Sequence, residues 1–340
     1  MAGPCSVESE AQILQTAQEL AECAPISMLR GGVWKPRTMP GSFEGHGKPA
    51  LEWLVKAGAA VGTPVCTEVA NAEHAEAALK AGVDALWIGA RTTVNPFYVQ
   101  EIAEALRGTQ IPVFIKNPIH AELNLWMGAI ERFIKMGNDH VAAIHRGFFS
   151  TNKKVYRNEP KWHLSFDLRA AMPDLKIICD PSHIAGKRAL VHEVSQTAMD
   201  LQLDGLIIES HAAPSEAWSD AAQQITPCEV GELTHHLHIS EPLVNQSESP
   251  ELSKLRLALD GLDDQLIELL KNRFDLIENI AQVKDKDGLS IFQMNRWVKL
   301  VTERTASAEQ AGLNEDLIHE IFALLHKYSV DHQTELLKNK

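Results

Sequence analysis

Charged side chains end most of the short apolar runs in the first two thirds of the chain. The last residues of seven such runs are Arg30, Glu68, Arg91, Lys116, Arg146, Asp180 and Glu209. Four of the seven are cations, although the whole chain has a net charge of −13. Strands that simply end at solvent would explain charge there but not this excess of cations. The pattern therefore predicts a locally basic site for an anionic, phosphorylated substrate.

Metal-binding side chains lie at or just after the ends of the same runs. They are Cys5, His183, Glu209 and Asp220. A thiolate, an imidazole and two carboxylates favour Mn, Fe, Co or Zn over Mg. Spacing alone is a weak indication, because Cys5 also fits a small buried core position and His183 a hydrogen-bonded loop position. A metal site is predicted only if the fold brings the four together.

The apolar runs alternate with amphipathic stretches up to about residue 232. Strands are predicted at 26–30, 63–68, 85–91, 112–116, 140–146, 176–180 and 205–209, with residues 3–6 as the stub of an eighth. Helical patterns between them include 70–81, 98–106, 125–136 and 188–203. This alternation predicts an α/β fold, a (β/α)8 barrel whose active site lies at the carboxyl ends of the strands.

The composition changes after the predicted barrel. We assign residues 1–238 to the barrel, 239–250 to a linker rich in Pro, Ser and Glu, and 251–340 to an all-α domain. Three helices are predicted there, at about 251–286, 294–311 and 314–337. The first would be about 50 Å long, too long for a compact small domain. A partner chain is expected to cover part of it, which predicts an intertwined dimer.

Cations on this long helix indicate more than a coiled-coil dimerisation module. Arg273 and Lys284 are 11 residues (284 − 273) apart and share one face. Arg256 lies 17 residues (273 − 256) before Arg273, about 25 Å along the axis, so it cannot serve the same site. In an antiparallel dimer it could enter the site of the partner.

The overall composition excludes several classes of protein. Hydrophobic residues make up 45% of the chain and charged residues 23%, as in ordinary globular proteins. The acidic net charge disfavours nucleic acid and anionic lipid as partners. No apolar run approaches the roughly 18 residues that span a bilayer, and the first residues do not follow a signal-peptide pattern. The five cysteines form no CxxC pair, so a cytoplasmic location is expected.

Several segments of the first 230 residues resemble the type I DAHP synthases, the β subgroup in particular. They are Gly3-Pro-Cys-Ser-Val-Glu-Ser, Leu29-Arg-Gly-Gly-Val-Trp-Lys-Pro-Arg-Thr, Ile88-Gly-Ala-Arg, Asp180-Pro-Ser-His, and Glu209-Ser-His with Ser219-Asp220. The resemblance implies condensation of phosphoenolpyruvate with erythrose 4-phosphate to 3-deoxy-D-arabino-heptulosonate 7-phosphate and phosphate. It implies that Cys5, His183, Glu209 and Asp220 bind one divalent metal ion.

The same resemblance implies roles for the cations. Arg91, Lys116 and Arg146 would bind the phosphate of phosphoenolpyruvate, and Arg30 and Lys35 its carboxylate, with Lys35 also catalytic. Arg37 and Thr38 would bind erythrose 4-phosphate, and Asp180 and Glu68 would orient the metal ligands. A related synthase uses arabinose 5-phosphate but lacks the Lys-Pro-Arg-Thr run found at 35–38, so erythrose 4-phosphate is favoured.

Residues 251–337 resemble the AroQ-class chorismate mutases, which rearrange chorismate to prephenate. The matching residues are Arg256, Arg273, Lys284, Arg296, Ser329 and Gln333. The resemblance implies that the arginines, Arg256 coming from the partner, and Ser329 bind the carboxylates. It implies that Lys284 and Gln333 act on the ether oxygen. Gln293 and Trp297 depart from the family pattern, which has acidic residues at these two positions.

Two alternatives remain open for the C-terminal part. The helical domain could serve only for dimerisation or regulation, or it could double as a sensor that slows the barrel when prephenate or chorismate binds. The closely spaced His235, His236 and His238 suggest a metal tract, but no acidic or Cys partner is evident. They are interpreted as surface residues.

Overall fold

The computed structural model describes residues 1–36, 41–151, 155–239 and 249–338. The chain divides into two compact units, Met1–Pro242 and Leu243–Lys340. Most of the predicted linker therefore lies outside the described residues. No helix in the described ranges has the length and apolar character needed to cross a membrane.

The first unit is built on one parallel sheet of nine short strands. The strands are β1 (Ala2–Gly3), β2 (Leu29–Arg30), β3 (Val65–Val69), β4 (Ala85–Ile88), β5 (Val113–Lys116), β6 (Val141–His145), β7 (Lys176–Cys179), β8 (Gly205–Leu206) and β9 (Ile208–Glu209). Each pairs with its neighbour in sequence from β1 to β8, and β1 also pairs with β9. The sheet closes on itself, which confirms the predicted (β/α)8 barrel.

The closure point differs from the prediction. Residues 205–209 were expected to form one strand, but the pairing is interrupted at Ile207, so that β8 pairs with β7 and β9 with β1. The first strand is Ala2–Gly3 rather than 3–6. Gly3 pairs with Glu209, and a Cβ at Gly3 would lie 2.0 Å from the carbonyl oxygen of Arg30. Only glycine fits this close approach of two strands.

Helices surround the barrel. They are α1 (Glu10–Cys23), α2 (Lys48–Val61), α3 (Ala72–Ala81), α4 (Ala90–Thr93), α5 (Pro96–Ala105), α6 (Leu123–Lys135), α7 (His163–Ala171), α8 (Pro181–Ala185), α9 (Val191–Asp200) and α10 (Pro227–His236). Local sequence signals set their starts: Ser9 and Asn71 accept backbone N–H groups as N-caps, and Thr226 with Glu229 forms a capping box. The short helices α4 and α8 follow directly after β4 and β7.

Two apolar layers hold the barrel in shape. The larger lies between the sheet and the outer helices and includes Ile13, Leu54, Ile88 and Phe133. The smaller fills the barrel interior and contains Cys66, Ala85, Trp87, Ile144, Ile178 and Ile207. A filled interior leaves the carboxyl ends of the strands as the place where a site can open.

Cys23 and Cys228 form a disulfide that joins the end of α1 to α10, with Cα atoms 5.0 Å apart. This pairing was not predicted from the sequence, in which 205 residues separate the two cysteines. Cys5, Cys66 and Cys179 are free and buried.

The second unit consists of α11 (Pro250–Lys286), α12 (Met294–Gln310) and α13 (Glu315–Lys338). The bounds agree with the prediction to within a residue or so. Within this unit the buried side chains among the described residues are Ala281, Ala308, Ser329 and Gln333. Most leucines of α11 are exposed, among them Leu259, Leu262, Leu266 and Leu269. A single chain thus leaves its long helix largely uncovered.

Candidate active sites

A cavity of about 410 Å³ opens at the carboxyl ends of the barrel strands. Within the part of the chain that the structure describes, five cations line it: Lys35, Arg91, Lys116, Arg146 and Arg157. The strands position them directly, since Lys116 ends β5, Arg146 follows β6 and Arg91 lies in α4, just after β4. The excess of cations that the sequence predicted at this edge is therefore concentrated around one cavity.

Three of the four predicted metal ligands converge at the edge of this cavity. Donor atoms of Cys5, Glu209 and Asp220 all lie within 4.8 Å of one another. Cys5 and Glu209 are fully buried. Among the residues that the structure describes, this is the one group of at least three His, Cys, Asp or Glu side chains whose donor atoms lie so close together.

His183 lies beside this group rather than inside it. Its Nε2 is 3.8 Å from Glu209 Oε1, and its Nδ1 is 2.8 Å from Asp180 Oδ2. Asp180 also caps α8 by accepting the backbone N–H of His183 at 3.1 Å. The Asp180 carboxylate thus holds both the backbone and the ring of His183, with Nε2 facing Glu209.

The two carboxylates of the group are held by cations. Arg30 Nη1 donates to Glu209 Oε1 at 2.9 Å, and Arg157 Nη1 donates to Asp220 Oδ1 at 3.0 Å. Burial raises the pKa of Glu209, but His183 and Arg30 outweigh it and bring the pKa to about 2. The pKa of Asp220 is likewise lowered, because His183 and Arg157 outweigh burial. Both acids are therefore ionised at neutral pH.

The thiol of Cys5 is protonated in the absence of a metal. Burial raises its pKa to about 12, and the carboxylate of Glu209 adds to this shift. The Sγ–H donates to Asp220 Oδ2 at 3.4 Å. A divalent ion at this position would replace the proton, since coordination deprotonates a thiol.

This donor set fits a divalent metal ion. One sulfur and two ionised carboxylates converge in a buried setting, and the Nε2 of His183 is adjacent. Donors of these types are the ones from which Mn, Fe, Co or Zn was expected rather than Mg. The backbone of Asp220 has a φ of 47°, which residues other than glycine adopt at a cost of about 1 kcal/mol or more. Strain of this kind is typical of functional sites.

Of the other predicted cations, Lys116 and Arg146 line the cavity and Arg30 does not. Lys116 Nζ is buried and pairs with Asp180 Oδ2 at 2.7 Å. Arg146 Nη1 donates to Asn158 Oδ1 at 2.9 Å, and burial lowers its pKa to about 10, so it stays charged. Arg30 does not line the cavity: it is 1% exposed, and its guanidinium contacts Glu209 and the Cys5 carbonyl.

Lys35 lies between the cavity and the metal-ligand group. Its Nζ donates to the carbonyl oxygen of Cys5 at 3.2 Å. Burial lowers the pKa of Lys35, but Cys5 and Glu68 outweigh it, and the net pKa is raised. Glu68 accepts from Trp87 Nε1 at 3.2 Å, and the absence of a side chain at Gly89 leaves room for its carboxylate. Arg37 and Thr38 lie outside the described residues.

Three residues of this site were not predicted. Arg157 and Asn158 follow β6 on a loop and line the cavity, and Gln223 is buried next to both acidic ligands. Arg157 alone carries a sequence signal, as a cation in an acidic chain. The two amides give none, because only the fold brings them to the site.

The helical unit forms a second polar site from the predicted residues. Arg273 Nη1 donates to Ser329 Oγ at 2.7 Å, and Lys284 Nζ donates to Gln333 Oε1 at 3.3 Å. Ser329 and Gln333 are 2% and 4% exposed, although most of their unit is exposed. Burial lowers the pKa of both Arg273 and Lys284. The two cations of α11 and their two polar partners on α13 therefore lie together between these helices.

His326 is a further residue at this second site that the sequence did not indicate. Its ring stacks on Trp297 with centroids 4.5 Å apart, and its pKa is lowered by burial, then by Arg273 and Lys284. Its Nε2 is buried with no hydrogen-bond partner among the described residues. Trp297 thus packs against the site in place of the acid that the family pattern has there.

The structure does not bring Arg256 or Arg296 into the hydrogen bonds that join the other four residues in the described part of the chain. Gln293 precedes α12 and forms no side-chain cap. In the histidine tract, His236 Nδ1 is 2.7 Å from the carbonyl oxygen of Glu232. His235 and His236 are exposed.

Comparisons with known proteins identify two segments. The model of the DAHP synthetase I family matches residues 1–245, and that of chorismate mutase type II matches residues 255–334. A phospho-2-dehydro-3-deoxyheptonate aldolase of Thermotoga maritima is 32% identical over 231 residues, which cover 66% of this chain and 64% of that protein. The T-protein of Haemophilus influenzae is 36% identical over 70 residues, which cover 21% of this chain and 19% of that protein.

A solved structure agrees with the barrel. The crystal structure of a phospho-2-dehydro-3-deoxyheptonate aldolase (DAHP synthase) from Thermotoga maritima superposes with a TM-score of 0.62 at 30% identity. The match covers 70% of this chain and 67% of that one.

Proposed function

Because the chain belongs to the DAHP synthetase I family and also carries a chorismate mutase type II domain, we propose that it catalyses two reactions of aromatic biosynthesis. The barrel condenses phosphoenolpyruvate with erythrose 4-phosphate, forming 3-deoxy-D-arabino-heptulosonate 7-phosphate and phosphate. The helical domain rearranges chorismate to prephenate. The observation that carries the first activity is the group of Cys5, Glu209 and Asp220 at the edge of a cavity lined by five cations.

Cys5, His183, Glu209 and Asp220 would hold the divalent metal ion. When bound, such an ion supplies Lewis-acid polarisation of the aldehyde carbonyl that the enol carbon of phosphoenolpyruvate attacks. The roles of this chain's residues are to hold the two anionic substrates, to orient the ligands and to keep the reacting groups close together. Asp180 fixes the ring of His183, and Arg30 fixes Glu209.

The charge of phosphoenolpyruvate matches the cavity. Arg91, Lys116 and Arg146 bind its phosphate, and Lys35 binds its carboxylate. Arg30, the other cation expected at the carboxylate, does not line the cavity and holds Glu209 instead, with its Nε buried and without a hydrogen-bond partner among the described residues. Lys35 lines the cavity, and its Nζ donates to the carbonyl oxygen of Cys5. This position suits a catalytic cation close to the reacting carbon.

Erythrose 4-phosphate is the proposed second substrate. Arg37 and Thr38 of the 35–38 segment bind its phosphate end. The alternative aldose is arabinose 5-phosphate, and competition separates the two. Purified protein with phosphoenolpyruvate and a divalent metal should release phosphate with erythrose 4-phosphate at least about 100-fold faster than with arabinose 5-phosphate, because the extra CHOH unit of the pentose displaces its aldehyde or its phosphate from the binding groups. Equal or reversed rates would reassign the aldose.

For the helical domain, hydrogen bonds between its polar residues support the mutase proposal. Lys284 and Gln333 donate to the ether oxygen of chorismate, where negative charge develops as the bond breaks. Arg273, Arg296 and Ser329 bind the carboxylates, and Arg256 contributes from the partner subunit. The rearrangement needs no nucleophile and no metal, only restraint of the substrate and preorganised donors.

The exposed apolar face of α11 supports a homodimer through this domain. The face includes Leu255, Leu259, Leu262, Leu266 and Leu269, each more than half exposed in a single chain. Soluble proteins rarely expose so much contiguous apolar surface. A second copy would cover it and bring Arg256 to the other site.

The competing proposal limits the helical domain to dimerisation or regulation. Loss of chorismate absorbance, followed with the full chain, distinguishes the two. Saturable turnover that Lys284→Ala abolishes supports the mutase, and a dimer with no turnover supports the alternative. Prephenate added to the synthase assay tests the sensor hypothesis, which predicts a slower barrel. An unchanged synthase rate would refute it.

A further inference from the structure

Gln223 connects the two acidic side chains proposed as metal ligands. It lies in the segment between β9 and α10 and is 1% exposed. Its Nε2 donates to Glu209 Oε2 at 2.6 Å, and its Oε1 accepts from Arg157 Nη1 at 2.6 Å. The same Nη1 donates to Asp220 Oδ1 at 3.0 Å. One amide and one guanidinium thus connect Glu209 to Asp220.

These bonds occupy particular oxygen atoms of each acid. In Glu209, Oε1 accepts a hydrogen bond from Arg30 and Oε2 accepts one from Gln223. For Asp220, Arg157 takes Oδ1, and Oδ2 faces the Sγ of Cys5 at 3.4 Å. Rotation of either carboxylate would break at least one short bond. The network therefore sets the direction in which both acids present their oxygens.

The neighbouring residue shows what a purely structural glutamine does in the same segment. Gln224 is fully buried, accepts the backbone N–H of Cys5 at 3.0 Å and donates to the backbone oxygen of Ser219 at 2.8 Å. Both of its bonds hold the backbone. Both bonds of Gln223 go to side chains, and each of these belongs to an acidic ligand or contacts one. Holding the backbone does not account for Gln223.

We infer that Gln223 is a positioning residue for the metal centre, holding Glu209 directly and Asp220 through Arg157 in the orientation that a divalent ion requires. The inference rests on the proposed metal site but goes beyond its ligand set. Partners that orient ligands of this kind typically account for 10- to 100-fold in metal affinity. Arg157, exposed to the cavity, transmits this constraint to the acid with the strained backbone.

The test is the affinity of the full chain for Mn²⁺ alone, measured by calorimetry without substrates. Gln223→Met keeps the length of the side chain but removes both hydrogen bonds, and Mn²⁺ should bind about 10- to 100-fold more weakly. Gln196→Met is the matched control. Gln196, on α9, also uses both ends of its amide, bonding to the Asp200 carboxylate and to the backbone of His238 beyond α10, and its replacement should leave Mn²⁺ affinity within twofold.

A double-variant cycle separates positioning from general destabilisation. Arg157→Met should also weaken Mn²⁺ binding, and the double variant should lose clearly less than the product of the two single losses, because both act through one network. The control cycle combines Gln223→Met with Arg169→Met, which removes a cation paired with Asp204. In this pair the two losses of Mn²⁺ affinity should multiply. Thermal unfolding of each metal-free variant reports stability separately, and lost stability alone would not produce this difference.

The outcomes are distinguishable. If the wild-type chain binds no Mn²⁺, the proposed metal site fails and the inference fails with it. If the wild type binds and Gln223→Met binds equally well, the inference is overturned while the proposed function stands. Should Gln223→Met not fold, Arg157→Met decides alone: unchanged affinity overturns the inference, and a loss of about tenfold or more supports it.

Discussion

The barrel and the helical unit bury their polar groups in opposite ways. In the barrel an extensive apolar core surrounds the site, and buried charges are paired, as Arg30 is with Glu209 and Lys116 with Asp180. In the helical unit, two of the four buried side chains among the described residues are Ser329 and Gln333, which lie at its site. Most of its leucines are exposed instead. In a single chain the barrel encloses an extensive core, whereas the helical unit leaves much of α11 uncovered.

Because of this difference, we expect that each site can lose its activity without the other, and for a different reason. If the proposed function holds, the barrel site needs the exact donor set of one ion and should respond to changes of single ligands. On the same proposal, the helical site needs preorganised donors and a covered apolar face. Four changes test this contrast, in order of decreasing expected effect.

The largest effect is expected from Cys5→Ser in the barrel. A serine oxygen is a poorer ligand for a borderline metal than a thiolate, so the condensation rate should fall at least about 100-fold, since Lewis-acid polarisation contributes several kcal/mol. Chorismate turnover should be unchanged. Phosphate release and chorismate absorbance are measured on the same sample. Cys66→Ala, at a buried thiol of the barrel interior, is the control and should keep both activities.

The next largest effect is expected from Lys284→Ala. Removal of one donor to developing negative charge typically costs 100- to 1,000-fold, about 3–4 kcal/mol, so chorismate turnover should fall by about that factor. Mn²⁺ affinity and condensation should not change. Lys299→Ala, on the exposed surface of α12, serves as the control. Equal loss from both variants would indicate a global effect rather than loss of a donor.

A smaller effect is expected on assembly from Leu266→Glu. The side chain is 54% exposed in the single chain, and charging it would oppose its burial by a partner at a cost of about 2 kcal/mol per chain. Sedimentation should show dissociation at low protein concentration, with weaker chorismate turnover and an unchanged condensation rate. Gln265→Glu adds the same charge one position away, off the apolar face, and should remain dimeric. A variant and a wild type with identical mass distributions would contradict the proposed interface.

The smallest effect concerns a buried histidine of the barrel. His145 stacks on Trp162, its Nδ1 is 2.8 Å from Ser165 Oγ, and burial lowers its pKa from the ordinary 6.5 to about 3. Between these two pH values the unfolded chain binds a proton that the folded chain does not. His145 therefore costs the folded state stability as the pH falls through this window, by up to about 1.4 kcal/mol per pH unit.

Replacement of this residue removes the pH dependence. The difference in unfolding free energy between the wild type and His145→Gln should shift by about 2 kcal/mol between pH 7 and pH 5, with the wild type losing its advantage at the lower pH. Urea unfolding followed by tryptophan fluorescence measures it. Gln110→Ala replaces an exposed side chain that does not titrate, and as the control it should keep a constant difference. No shift for His145→Gln would mean that the folded ring takes up the proton too.

The sequence predicted the barrel because short apolar runs alternate with amphipathic stretches, and it predicted the position of the site because most of these runs end in charged residues. The carboxyl ends of parallel strands must meet, so Lys116, Arg146 and Glu209 could be assigned to one edge before any coordinates. What could not be predicted depends on loop conformation. The hydrogen bond from Arg157 to Gln223 joins two loops that lie 66 residues apart in the chain, and no period or composition encodes it.

The interrupted strand at Ile207 and the orientation of Arg30 were missed for a similar reason. Both follow from how the sheet closes, which is a property of all strands together. In the helical unit the pairing of Arg273 with Ser329 and of Lys284 with Gln333 could be expected from the family resemblance. His326 could not, because its position depends on stacking against Trp297.

The bond between Cys23 and Cys228 has a topological consequence. In the oxidised protein it fastens the first outer helix to the last one, so the barrel becomes a covalent ring with short tails. While the disulfide is intact, neither of these two helices can separate from the other. Closure of a ring of about 200 residues lowers the entropy of the unfolded chain, which stabilises the folded state by about 5 kcal/mol. A protease cut anywhere between the two cysteines would leave both fragments tethered until a reductant frees them.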